Sequence, residues 1–381
     1  MTPVAVQPKV LEWALVRSGS RSALEKRFPR LADWLTGTAE PSLRQLEEFA
    51  KASRVPVGYL LLPEPPEEEL PIRDLRTFSG RGVRRPSPDL LDVIYLCQRR
   101  QAWYQEYAES VGEQARGFVG SVTLKDAPEL VASDIASKLG FSVSARRNCS
   151  TWSEALRLFI EQAESVGVLV MVSGVVGSSN RRRLDPEEFR GFALADALAP
   201  LVFINGADTK AAQMFTLAHE LAHIWLGESA VTNAGMATAP QQNVEVWCNR
   251  VAAELLVPVA ELRKQLPTGG DALQSVHLLA RIFKVSTLVV LRRLMDVGQL
   301  SRQRFQQAYD AEVQRLVSLS RSSSGGDFYL TQAARLSRRF ARAVIVSTAE
   351  GQTLYRDAFR MLGVKKEQTF RELGRMLEVL P

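Results

Sequence analysis

Hydrophobic and polar positions follow helical spacing over most of the chain. Residues 89–109 are the clearest case, with Leu91, Ile94, Trp103 and Tyr107 on one side of a long amphipathic helix. The same pattern predicts further helices over 129–139, 151–166, 211–226, 244–256, 271–295 and 301–317. Short apolar runs predict buried strands over 168–172, 189–194 and 201–204. We therefore expect a mainly helical α+β fold with a small sheet.

The first sixty residues predict a series of short helices, over 10–17, 22–28, 29–35 and 42–52. Pro29 suits the first position of a helix, and Ser42 suits an N-cap with Gln45 three residues on. Short helices so close together indicate a helix-turn-helix bundle.

Two segments interrupt the helical pattern. Residues 63–88 contain six prolines and an acidic run, which is typical of a domain boundary. Residues 318–326 are mostly small and polar and predict a flexible joint before a helical tail. With 381 residues, the chain is long enough for two or three folding units.

Composition narrows the class of protein. Hydrophobic residues make up 46% and charged residues 24%, as in a folded globular chain. No apolar run is long enough for a membrane helix and the start does not resemble a signal peptide, so we expect a cytoplasmic protein without a membrane partner. Cys97, Cys149 and Cys248 are too few and too scattered for a disulfide framework, and we expect buried free thiols. The net charge of +6 is compatible with a nucleic-acid partner or with a solvated Arg-rich face.

The strongest chemical signal is the motif His219-Glu220-x-x-His223 within an apolar helix. Residues four apart on a helix share a face, so both imidazoles can reach one ion while Glu220 stands beside it. The chain has only three histidines, and two of them fall at this spacing, which argues against a chance match. The motif predicts a zinc site with His219 and His223 as ligands and Glu220 as the general base.

A catalytic zinc needs a third protein ligand, which we expect from the following helix. Glu245 and Glu254 are nine residues apart and point to opposite faces of that helix, so only one of them can face the metal. We favour Glu245, and Glu228 is a weaker alternative because it lies beside the expected helix end at Gly227. Asn249 lies one turn after Glu245 and is either a hydrogen-bonding partner of the site or a packing residue.

These motifs resemble the ImmA/IrrE family of zinc metallo-endopeptidases. The similarity spans about residues 153–262, and its matching positions are 190–194, 203–205, 215–227, Glu245, Cys248-Asn249 and Leu255-Leu256-Val257-Pro258. The resemblance implies a compact, thermolysin-like α+β catalytic domain and gives Glu245 the role of third ligand. It also implies a repressor protein as the substrate class.

The N-terminal helices resemble an XRE-type helix-turn-helix domain, in which residues 29–35 would be the recognition helix. This helix presents Arg30 and Asp33 among apolar residues, whereas base-reading helices usually present Gln, Asn, Ser, Thr or Arg at their start. DNA binding is one prediction, and packing into the protein or docking of a partner is the alternative. The candidate phosphate contacts are Arg17, Arg21, Arg27 and Arg30.

The sequence thus predicts five segments: an XRE-like domain (1–62), a Pro-rich linker (63–88), a zinc peptidase domain (89–265), a helical support region (266–317), and a joint with a basic helical tail (318–381). The support region has a helix-turn-helix rhythm of its own, but we favour a supporting role, and we expect its His277 to be no metal ligand. The arginines of the tail fit a solvated face and a nucleic-acid patch equally well.

The function predicted is a zinc endopeptidase that cleaves a regulatory protein, with a DNA-binding repressor as the expected substrate. The rival is a DNA-binding regulator or antitoxin-like module in which the peptidase site is vestigial. An intact Glu220 argues against the rival, because a structural zinc site needs no general base.

Overall fold

A computed structural model of the chain describes residues 3–76, 85–232, 243–266, 271–319 and 335–380. Within these ranges the chain forms two compact units. The first consists of residues 3–71 and 85–92, and the second consists of residues 72–76 and the rest of the chain from residue 93.

The first unit is built from short helices around its own apolar core. They are α1 (Pro8–Ser18), α2 (Arg21–Arg27), α3 (Leu31–Thr36), α4 (Leu43–Ser53) and a 3₁₀ turn (Val57–Leu61). Ser42 and Gln45 form the predicted capping box at the start of α4, where each side chain bonds the other's backbone N–H. Leu31 and Trp34 of α3 are buried against Phe28 and Phe49, so the apolar face of this short helix supports the core.

The second unit combines helices with a mixed sheet. Its helices are α5 (Pro88–Ser110, from residue 93 on), α6 (Pro128–Leu139), α7 (Val143–Arg147), α8 (Trp152–Ser165), α9 (Lys210–Leu226), α10 (Asn243–Leu256), α11 (Val259–Gln265), a 3₁₀ turn (Ala272–Ser275), α12 (Val276–Phe283), α13 (Thr287–Asp296), α14 (Arg302–Leu319), α15 (Arg338–Ala349), α16 (Tyr355–Leu362) and α17 (Glu367–Met376). Its strands are β1 (Arg73–Asp74), β2 (Leu169–Ser173), β3 (Gly191–Leu194), β4 (Leu201–Asn205) and β5 (Ala230–Thr232). The mainly helical α+β fold is confirmed.

The five strands lie in the order β1-β5-β3-β4-β2. Strand β3 runs antiparallel to both of its neighbours, with Phe192 opposite Phe203 of β4 and Val231 of β5. The pairs β2–β4 and β1–β5 are parallel. Strand β5 therefore lies between the antiparallel strand β3 and the two-residue strand β1.

Helix α9 lies against the sheet and packs against α10. The Thr209 hydroxyl accepts the backbone N–H of Ala212 and caps its start, and Gly227 ends it in the left-handed conformation at φ 73°. A Cβ at Gly227 would meet the Gly120 Cα at 2.9 Å, so this close approach requires glycine. Every residue from Gln213 to Trp225 is buried. The helix with the His-Glu-x-x-His motif is therefore the central element of the core of the second unit.

Several boundaries differ from the sequence prediction. Strand β3 starts two residues later than expected, and β1 and β5 were not predicted at all. Cys97 and Cys248 are buried free thiols as expected, but Cys149 is only half-buried. Ser318 and Leu319 still belong to α14, whereas the rest of the predicted joint lies outside the described residues. From residue 335 on, the predicted tail is helical.

No single helix in the described ranges is long and apolar enough to cross a membrane. The segments Ala272–Phe283 and Thr287–Asp296 reach the required length and composition only as a pair, and they are bent by 116° at their break.

Candidate metal centre

Two packed helices bring three potential metal ligands together. His219 and His223 lie one turn apart on α9, and Glu245 lies in the first turn of α10. The two Nε2 atoms are 3.2 Å apart. Glu245 Oε1 is 3.1 Å from His223 Nε2, and its Oε2 is 3.5 Å from His219 Nε2. Among the described residues, no other three His, Cys, Asp or Glu side chains bring ligand atoms within 4.8 Å of one another.

These separations fit a zinc ion. Ligand atoms held at about 2.0–2.1 Å on a tetrahedral zinc are about 3.3–3.4 Å apart, close to the 3.1 Å, 3.2 Å and 3.5 Å found here. Two imidazoles and one carboxylate are also a donor set typical of catalytic zinc sites, which leave a fourth position for water. The residues can therefore hold zinc with small adjustments.

Asn249 contacts the other side of the His219 ring. Its Oδ1 lies 3.1 Å from His219 Nδ1. An amide oxygen can only accept, so this contact favours the tautomer with a proton on Nδ1, in which Nε2 is the nitrogen that can bind a metal. Asn249 therefore lies where a residue that orients a metal ligand is expected.

The alternative third ligands point elsewhere. Glu254 accepts the Val259 N–H at 3.1 Å and pairs with Arg293, on the opposite side of α10 from Glu245. Glu228 pairs with Arg73 at 3.3 Å. His277 is exposed on α12. Of the acidic candidates, Glu245 is the one that the structure brings to the histidines.

Glu220 lies beside this cluster and is fully buried. Its Oε1 accepts a hydrogen bond from the hydroxyl of Thr232 in β5. Its Oε2 has no hydrogen-bond partner among the described residues. A buried carboxylate oxygen without a partner is costly, which suggests that this oxygen is kept free for chemistry.

Burial and mutual charge set the protonation of the cluster. Burial raises the pKa of Glu220 to about 8. Burial opposes ionisation of Glu245 as well, but the two histidines outweigh it and lower its pKa to about 2. Burial lowers the pKa of His223, whereas at His219 the nearby Glu245 outweighs burial and raises the pKa. A divalent cation in this cluster would favour the ionised Glu220 that a general base requires.

The four arginines proposed to contact phosphate differ in their surroundings. The Arg17 side chain is 8% exposed. It donates hydrogen bonds to Glu68 at 2.5 Å and to the Arg54 carbonyl at 2.6 Å. Arg21 is exposed and pairs with Glu12 and Glu25. Arg27 and Arg30 are exposed. Arg17 is thus poorly placed to contact a phosphate, and the other three remain accessible.

Residues 163–295 match the IrrE N-terminal-like domain. The matched region includes α9 and α10 with the whole His-His-Glu cluster, and it indicates a metallopeptidase of the ImmA/IrrE kind. It also extends over α12 and α13, beyond the similarity seen from the motifs. Residues 336–376, which contain α15, α16 and α17, match a domain of unknown function (DUF8813). No curated protein matches the chain significantly.

Sequence reasoning missed two residues around Glu220. Thr232 comes from a three-residue strand between the helices predicted over 211–226 and 244–256, and Gly191 approaches Glu220 from β3. Strand pairing between β3 and β5 brings both residues to the site, and no pattern within the motif points to them. For Gly191 the available signals were a glycine inside the predicted strand 189–194 and its place in the matching positions 190–194.

Proposed function

We propose that this protein is a zinc-dependent endopeptidase that hydrolyses a peptide bond in a regulatory protein, with a DNA-binding repressor as the substrate class. The observation that carries the proposal is the buried cluster of His219, His223 and Glu245 beside Glu220. The match to the IrrE N-terminal-like domain supports the peptidase chemistry. The family resemblance supports a repressor as the substrate. The free thiols are compatible with a cytoplasmic location.

In this proposal His219, His223 and Glu245 hold the zinc. When bound, zinc polarises a carbonyl group and lowers the pKa of water at its open position. Glu220 takes the proton from the attacking water through its free Oε2 and then delivers it to the nitrogen of the leaving amine. Asn249 keeps the His219 ring in the orientation that the site needs. The surrounding core excludes bulk water, which strengthens each of these interactions.

Metal content tests the proposal directly. We expect about one zinc per chain in the wild type, a loss of zinc in Glu245→Ala, and normal zinc in Glu254→Ala. The last variant is the matched control, because it removes an acidic residue from the opposite side of the same helix. Elemental analysis after dialysis is the measurement. A wild type without zinc would contradict the proposal.

Two further variants separate binding from catalysis. Asn249→Ala should weaken zinc affinity by about 10- to 100-fold in a chelator competition, while Asn243→Ala, on the exposed start of α10, should not. Glu220→Gln should keep the zinc and lose cleavage. Cleavage is measured as new protein N-termini in a cell extract of the source organism, with Glu220→Gln as the blank. Identical N-termini in the two samples would exclude peptidase activity under those conditions.

A further inference from the structure

We propose that Thr232 is a positioning residue that holds the Glu220 carboxylate in place for proton transfer, an inference that rests on the proposed function. The Thr232 hydroxyl donates to Glu220 Oε1, and both side chains are fully buried. A hydroxyl donor to one oxygen of a carboxylate fixes the rotation of the carboxylate plane. The reaction needs this group in one orientation only.

The backbone that carries Thr232 is held on both sides. Thr232 lies opposite Gly191 of β3, and its carbonyl accepts the Arg190 N–H at 3.1 Å. On the other side of β5, the Val231 carbonyl accepts the Leu75 N–H at 3.0 Å, next to β1. Threonine is also stiff about its first side-chain torsion. The hydroxyl therefore has a defined position relative to α9.

Gly191 provides the room for the carboxylate. A Cβ at this position would lie 2.6 Å from Thr216 Cγ2, 2.8 Å from the Phe203 carbonyl oxygen and 3.0 Å from Glu220 Oε1. A side chain there would therefore collide with Thr216 and the Phe203 backbone and would crowd Glu220 Oε1. Glu220 Oε1 therefore lies between the Thr232 hydroxyl of β5 and the Gly191 backbone of β3, which are adjacent strands.

The two carboxylate oxygens consequently have different roles. Oε1 is held by Thr232, and Oε2 is without a hydrogen-bond partner in the described part of the chain. Oε2 is thus the oxygen that takes the proton from water. An error of about 1 Å in such a position can cost about 100-fold in rate, so loss of the hydroxyl should act on turnover.

The experiment compares Thr232→Val, which removes the hydroxyl at nearly constant shape, with Thr232→Ser, which keeps it. Thr348→Val is the matched control, because Thr348 is a buried threonine of α15 whose hydroxyl donates to the Val344 carbonyl of its own helix. Three quantities are measured for each full-length variant: zinc content, kcat and KM on a peptide spanning an identified cleavage site, and the affinity of the cobalt-substituted protein for acetohydroxamate from its visible spectrum.

We expect Thr232→Val to keep its zinc and its KM within about two-fold, while kcat falls by about 10- to 100-fold. Acetohydroxamate should bind about 10-fold more weakly, because its hydroxyl is a partner for a correctly placed carboxylate. Thr232→Ser should recover most of both losses, and Thr348→Val should behave as the wild type does. A purely structural hydroxyl would instead change only the thermal midpoint.

Wild-type kcat and acetohydroxamate affinity in a folded Thr232→Val variant would overturn the role of Thr232 and leave the proposed function standing. If Thr232→Val does not fold, Thr232→Ala against Thr232→Ser provides the same comparison. A wild type that lacks both zinc and cleavage contradicts the proposed function and this role with it.

Discussion

Glu164 is a buried carboxyl far from the motif in sequence, at the end of α8. Burial raises its pKa to about 7, although N–H groups of Val170 and Arg338 and the Ser337 hydroxyl donate to it. Ser337 and Arg338 lie at the start of α15, so these two contacts connect the end of α8 to that helix.

The raised pKa of Glu164 predicts a specific dependence of stability on pH. The ordinary value is 4.5 and the folded value is about 7, so the folded protein keeps a proton that the unfolded chain releases between these values. The stabilisation is fully present below pH 4.5 and is lost as the pH rises through 7. Replacement by Gln removes this dependence. The free energy of unfolding of Glu164→Gln minus that of the wild type should therefore increase by up to about 3 kcal/mol between pH 4.5 and 8.

Urea unfolding of both proteins across this pH range is the measurement. Glu161→Gln is the control, since Glu161 is a half-exposed residue of the same helix. Parallel stability curves for wild type and Glu164→Gln would show that the prediction is wrong.

At the scale of elements, one buried arginine joins the ends of two helices. Arg146 of α7 donates to the Leu256 carbonyl at 2.9 Å and to the Phe283 carbonyl at 2.8 Å, which are the last residues of α10 and α12. A positive charge at the carboxyl end of a helix also interacts favourably with the negative end of the helix dipole. Since α10 carries Glu245 and Asn249, Arg146 helps to fix the helix that completes the candidate metal centre.

Arg146→Ala should therefore lower the free energy of unfolding by about 2–4 kcal/mol, because it leaves two buried carbonyls without a donor. Arg147→Ala should change it by less than about 0.5 kcal/mol, since Arg147 is the exposed neighbour on the same helix. Chemical denaturation of the zinc-loaded proteins measures both values. An equal effect of the two substitutions would exclude the helix-joining role.

The elements also show what the sequence can and cannot predict. Long helices such as α5 and α9 follow from the apolar pattern, and helical phase placed Glu245 and Glu254 on opposite faces of α10, as the structure has them. Phase alone did not say which of the two faces the histidines, and the choice of Glu245 came from the family resemblance. Strands β1 and β5 have two and three residues, which is too short for an alternating pattern to appear. Thr232 could not be assigned for the same reason, because tertiary strand pairing alone brings it to Glu220.

At the scale of the whole molecule, DNA binding by the first unit remains a prediction with a clear electrostatic test. Binding of the full chain to a DNA duplex should weaken with salt, and replacing Arg21, Arg27 and Arg30 together should reduce the slope of log affinity against log salt by about 3. Arg17→Ala should instead lower the stability of the unit, since Arg17 is held by Glu68 and the Arg54 carbonyl.

Fluorescence anisotropy at several salt concentrations measures the slope. Salt-independent binding, or no binding, would contradict a DNA-contacting role of these arginines. Retained DNA affinity combined with zinc but without any cleavage would favour the rival function, a regulator with a vestigial peptidase site.

Strand β1 limits the positions at which recombination could replace the N-terminal domain of this protein by another domain. It lies in the proline-rich segment that follows the N-terminal helices, yet the neighbouring Leu75 bonds β5 and Arg76 pairs with Glu188 near β3. A recombination event between residues 76 and 88 would leave the catalytic unit without its outer strand. Fusions that join a new N-terminal module to this peptidase should therefore keep the chain from Ile72 onward. The segment that recombination must preserve thus begins inside the predicted linker 63–88.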